Sequence, residues 1–177
     1  MIRPLIKIPN PILRKKAQPV GEISRDIHRL VQDMKDTMYH EPGVGLAAPQ
    51  IGVSLRVIVY DSPENEEGFQ VLINPEIIQS EGQQKGPEAC LSIPDIRADV
   101  IRALNIQVQG MRLDGTKVWL NLSEFTARIV QHEVDHINRL FYMNQMKDLR
   151  NWLHLDEFNK KFKTKFNLWK FEIEERF

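Results

Sequence analysis

The chain has 177 residues, enough for one well-buried core and short for two domains. Hydrophobic residues make up 42% and charged residues 27%, and 24 basic side chains balance 24 acidic ones, which excludes the overall positive excess of a nucleic-acid binder. No apolar run approaches the roughly 18 residues of a membrane span, and the single cysteine, Cys90, excludes an intrachain disulfide.

In chain order, the opening MIRPLIKIPNPILRKK has basic residues but no continuous apolar stretch, so export is not expected. Pro4, Pro9, Pro11 and Pro19 favour extended, irregular chain there. Ile27, Leu30, Val31, Met34 and Met38 then fall at helical spacing, with Ser24 as N-cap and Pro42-Gly43 as stop. GVGLAAPQIG at 43–52 reads as a tight loop because glycines and a proline interrupt it. Strands are expected at 55–61, 71–78, 104–113 and 117–123, the last two joined by the hairpin signal Asp114-Gly115. Ser123 can cap a second helix through 124–138 or beyond, and a third helical segment is expected over much of 148–168. With no repeat or linker, the pattern predicts one α+β domain over 1–177, with mixed or antiparallel strands packed around the second helix and a C-terminal helix.

The most informative string is QHEVDH at 131–136. On a helix, residues four apart share a face, so His132 and His136 can point both imidazoles at one ion. Glu133, between them, can reach a water beside that ion as a general base without ligating it. Phe125, Ile129 and Leu140 fall on roughly the same face, which predicts an apolar pocket beside the histidines. A catalytic ion commonly takes three protein ligands. Cys90, in EACLSIP at 88–94, is core filler, nucleophile or third ligand, and its pairing with HEVDH favours the ligand. Gly43 and Gly45 permit close approach of the backbone to a ligand, Val44 can face its side chain, and an extended substrate can pair with this segment as an added strand. Glu88 reads as a structural partner for an arginine such as Arg97 or Arg102.

GVGLAAPQ, EACLSIP and QHEVDH, in this order, resemble the three signature motifs of peptide deformylases, roughly GxGLAAxQ, EGCLS and HExDH. IPNPILRKKAQPV and VLINPEI are also similar to the family, and the likeness covers most of residues 4–146. The resemblance implies that Cys90, His132 and His136 ligate the metal and that Glu133 is the acid–base. Gln50 and the backbone N–H of Leu91 would form the oxyanion pocket. It implies ferrous iron, with zinc or nickel able to use the same ligands, in a cytoplasmic enzyme of bacterial type acting as a monomer on nascent formylated polypeptides. Gly43, Val44, Gly45, Ala89, Phe125 and Ile129 would line the substrate cleft.

Two positions depart from the family pattern. Ala89 stands where glycine is usual, a strain of about 1 kcal/mol if the position needs positive φ. Arg139 follows Asn138 where many members carry glycine after the second histidine. Neither change removes a chemical group, although an inactive deformylase-like binding protein and a zinc endopeptidase both share parts of the pattern. Past the motifs, 159–170 holds five lysines and no acid among Phe162, Phe166, Leu168 and Trp169. It reads as a solvated basic helix or as a contact for ribosomal RNA.

Overall fold

The computed structural model describes residues 1–64 and 67–140; the expected third helix and the lysine-rich segment lie outside the described residues. Helix α1 spans Arg25–His40, with the Ser24 side chain accepting from the Asp26 N–H and the expected apolar stripe buried. Seven strands follow: β1 Gly45–Ala47, β2 Val57–Tyr60, β3 Gln70–Glu81, β4 Gln84–Cys90, β5 Ile93–Arg102, β6 Asn105–Met111 and β7 Lys117–Ser123. Helix α2, Glu124–Ile137, carries the histidines. Strands β1-β2-β3-β6-β7 form one antiparallel sheet, and β4 with β5 form a separate two-stranded sheet. The class is therefore α+β, as expected.

The period-two alternation of the strands sorts the core into two layers. Val57, Val59, Val71 and Ile73 pack on the α1 side with Met34 and Met38. Ile58, Tyr60, Leu72, Ile106 and Val108 pack on the α2 side with Val130, Val134 and Ile137. Strand β2 is buried along its whole length because both its faces are covered, so VIVY carries no polar alternation. The β6–β7 hairpin turns at Asp114-Gly115, where Gly115 takes φ 86° and Asp114 Oδ1 accepts from the Thr116 N–H.

Three expectations need correction. Residues 43–52 are not simply a loop: Gly45–Ala47 pair with β2, and Ala48–Ile51 make a 3-10 turn. Leu46 and Ala47 are fully buried; Leu46 pairs with Val59 in the ladder and the Ala47 N–H donates to Gln50 Oε1, partners that a local glycine signal does not reveal. Strands β4 and β5, including the Cys90 segment, are not among the expected strands; each contains a proline, and they pair with each other. Ser123 sits at the N-cap of α2 without a capping hydrogen bond from its side chain, and Leu140 lies beyond the helix end.

The suspected strain at Ala89 is absent: among described non-glycine residues positive φ occurs at Asn74, Glu124 and Arg139. Arg139, at φ 63°, closes α2 instead. Its N–H reaches the His136 carbonyl and the Leu140 N–H reaches that of Asp135, the paired bonds of a Schellman end that glycine fits best. Left-handed backbone costs a side chain about 1–2 kcal/mol, partly offset by the greater unfolded-state freedom of glycine. Arg139→Gly is accordingly expected to stabilise the protein by about 0.5–1 kcal/mol in denaturant titrations. An unchanged or lower midpoint would show that the arginine side chain compensates the backbone.

Candidate active site

Three elements deliver the site. Strand β1 and its 3-10 turn bring Gly45 and Gln50, the end of β4 brings Glu88 to Leu91, and α2 presents one face with Phe125, Ile129, His132, Glu133 and His136. They meet around a cleft of about 670 Å³. Its lining includes every residue expected at the site except the buried His136 and Leu140, which lies past the end of α2. Phe125 and Val44 stand at the rim, each a little over a third exposed, whereas Ile129 is buried.

The donor atoms of Cys90, His132 and His136 lie within 4.8 Å of one another, and all three residues are buried. Cys90 Sγ is 3.2 Å from His136 Nε2, which is 3.3 Å from His132 Nε2. Thiol sulfur and two imidazole nitrogens are the soft-to-borderline donors that transition metals prefer. Burial pushes His136 well below the usual imidazole value. Burial also opposes a charge on His132, but its Cys90 and Glu88 partners outweigh that and hold it well above. The three donor atoms converge on one pocket, an arrangement that suits a cation. The residues present fit a divalent metal.

Behind His132 is a buried charge network. Glu88 Oε2 accepts from His132 Nδ1 at 2.9 Å, so the Nε2 lone pair is turned toward the pocket shared with Cys90 and His136. Arg102 grips Glu88 with two bonds of 2.9 Å and reaches Asp135 at 2.5 Å, and Arg128 adds a bond of 2.8 Å. Burial by itself would raise the Glu88 carboxyl, yet His132 and Arg102 bring it down to about 2, so it is an anion. Of the two arginines considered from sequence, the structure selects Arg102. Arg97 is exposed across from Ala89 and also lines the cleft. Arg128 and Asp135 were missed; Arg128 precedes His132 by one helical turn, and that spacing was the available signal.

Glu133 is buried, and its Oε2 has no hydrogen-bond partner among the described residues. Burial raises its carboxyl to about 7, against the opposing pull of His132. A buried carboxyl with an unmatched oxygen, near-neutral acidity and three metal donors beside it is suited to proton transfer. Gln50 is oriented by its own turn: Oε1 accepts from the Ala47 N–H at 2.7 Å, so the Nε2 end points at Ser92 Oγ and Cys90 Sγ, at 3.3 and 3.7 Å. Gly45 lets α2 approach β1, since a Cβ there would come within 2.6 Å of Glu133 Oε1 and 2.9 Å of Ile129 Cγ2. At Gly43 a Cβ would meet the Leu91 side chain at 3.0 Å.

Comparison with known proteins gives one consistent answer. The family model for polypeptide deformylase matches residues 2–152. A peptide deformylase of Symbiobacterium thermophilum is 47% identical over 146 residues, covering 82% of this chain and 67% of that protein. One from Acidobacterium capsulatum is 43% identical over 162 residues, covering 90% and 95%. Among solved structures, the Met-Ala-Ser-bound class I type b peptide deformylase of Acinetobacter baumannii matches with TM-score 0.78 at 36% identity, covering 82% of this chain and 99% of that one.

Proposed function

This chain belongs to the peptide deformylase family, and from that premise we propose how its own residues carry out the reaction. The activity is metal-dependent hydrolysis that removes the formyl group from the N-terminus of newly made polypeptides. Water adds to the formyl carbon, the C–N bond breaks, and formate and a free amine leave.

Cys90, His132 and His136 would hold one divalent ion, which when bound supplies Lewis acidity to the formyl oxygen and makes an adjacent water a stronger acid. Glu133 accepts a proton from the attacking water and returns it to the departing nitrogen, a role to which a carboxyl near 7 is matched. Gln50 Nε2 and the Leu91 N–H donate to the oxygen as negative charge develops on it. Glu88 holds His132 in one tautomer, with Arg102 keeping the carboxylate charged. Strand β1 lies at the edge of its sheet, so the substrate backbone can add beside Gly43, Val44 and Gly45, with its first side chain between Val44, Phe125 and Ile129. Ala89 borders the same cleft.

The single observation that carries this reading is the buried Glu133 oxygen, without a partner among the described residues, set beside three converging metal donors. The test is formate release from formyl-Met peptides against acetyl-Met peptides of the same sequence. Rapid release from the first and none from the second is expected, because an added methyl would collide around Gln50. Equal turnover of both, or cleavage at internal peptide bonds, would contradict it.

A thiolate among the donors favours ferrous iron, with zinc or nickel serviceable on the same ligands, and metal analysis after anaerobic purification identifies the ion. A thiol ligand and a nascent substrate both support the proposal of a reducing, cytoplasmic setting. The enzyme is proposed to act as a monomer. The lysine-rich segment 159–170 supports contact with ribosomal RNA phosphates, binding that weakens as salt rises.

A further inference from the structure

The sheet carrying Cys90 and the helix carrying both histidines share no strand ladder, because β4 and β5 are hydrogen-bonded only to each other among the described strands. Something else has to set the distance between sulfur and imidazoles. Arg128 occupies the place to do so. Its side chain is 7% exposed and leaves α2 one turn before His132. Nη1 donates to Glu88 Oε1 at 2.8 Å, to the Val100 carbonyl at 3.2 Å and to the Gly86 carbonyl at 3.3 Å, and Nη2 donates to the Gln84 carbonyl at 3.2 Å. Gly86 and Val100 face each other across the β4–β5 ladder, so one guanidinium ties both strands to the helix. A Cβ at Gly86 would lie in ordinary contact with the guanidinium, 3.4 Å from Arg128 Nη2.

We propose that Arg128 is a positioning residue that assembles the metal site before the metal arrives, clamping the Cys90 hairpin to α2 and fixing Glu88 behind His132. The inference rests on the reading of Cys90, His132 and His136 as ligands. Arg102 does not duplicate the clamp: it comes from β5 and grips Glu88 and Asp135 by side chains alone, whereas Arg128 reaches the hairpin backbone itself. A lysine, with one point charge on a flexible stem, can hold Glu88 but cannot span three carbonyls in a plane.

The probe is Co²⁺ added to metal-free protein, followed by its thiolate charge-transfer absorption and by competition with a chelator. Cys90→Ala should lack that band; a band that survives it would undo the ligand assignment rather than the role of Arg128. With the band confirmed in the parent protein, Arg128→Met should weaken Co²⁺ binding by about 10–100-fold, the usual cost of removing a partner behind a ligand. Arg128→Lys should fall between the two. Hydrogen exchange of the β4–β5 amides in metal-free Arg128→Met should rise relative to β2 and β3. Val130→Ala, buried in the α2-side core away from the ligands, serves as a variant of lowered global stability. Co²⁺ affinity of Arg128→Met equal to the parent, or reduced no more than in Val130→Ala, would overturn the proposal. Should Arg128→Met not fold, Arg128→Lys decides: parental affinity and parental hairpin exchange reject the clamp, and loss of both supports it.

Discussion

Glu133→Ala is expected to reduce formate release by about 10²–10⁴-fold while leaving the metal content unchanged. The carboxyl sits in the wall of the cleft, 4% exposed, and contributes no donor atom to the Cys90–His132–His136 group. Its removal deletes the acceptor for the water proton and the donor to the leaving amine, but touches no ligand. Glu133→Gln keeps the shape beside Gly45 and should lose nearly as much, which separates lost proton transfer from lost packing. Steady-state kinetics with metal analysis on the same samples check this. Metal loss paralleling activity loss would make Glu133 a ligand, and near-parental kcat would leave the reaction without its base.

Gly45→Ala comes next in expected effect, and it acts on both stability and rate. The added methyl would stand 2.6 Å from Glu133 Oε1 and 2.9 Å from Ile129 Cγ2, distances that no packed Cβ tolerates. Gly45 is at the start of β1 and paired with Tyr60, so the strand cannot retreat without breaking the ladder. Helix α2 or the Glu133 side chain has to move instead. Overpacking of this kind costs about 1–3 kcal/mol. A shift of about 1 Å in a catalytic group costs about 10²-fold in rate. Thermal unfolding should show the first and kcat the second. A variant with parental Tm and parental kcat would mean that the interface between β1 and α2 is looser than its contacts imply.

The same position shows where local reading stops. From sequence, Gly45 is a hinge or an approach point for a ligand. In the folded chain its missing side chain is the space occupied by Glu133, a residue 88 positions later. Arg128 is similar: composition marks it as one more charge on an amphipathic helix, but burial and four acceptors make it part of the site. The two departures from the family pattern also exchanged weight. Ala89 lies in ordinary extended backbone on β4, while Arg139 took the left-handed conformation at the helix end.

What the sequence determined by itself was whatever short-range geometry can encode. Four-residue spacing on a helix joins His132 to His136 and sets Glu133 between them, a periodicity written in the chain. Helix α1 follows from its apolar stripe and Ser24, and the β6–β7 hairpin from Asp114-Gly115. Cys90 became a ligand candidate through its co-occurrence with HEVDH and through resemblance, not through local spacing. Only the tertiary structure decided how β4 and β5 form, which arginines hold Glu88, where Gln50 points and why Gly45 has no side chain. Those features depend on groups far apart in the chain meeting out of water, where an unpaired charge or a misplaced methyl costs kilocalories. No local pattern records which distant partner will be there, and packing in three dimensions settles it.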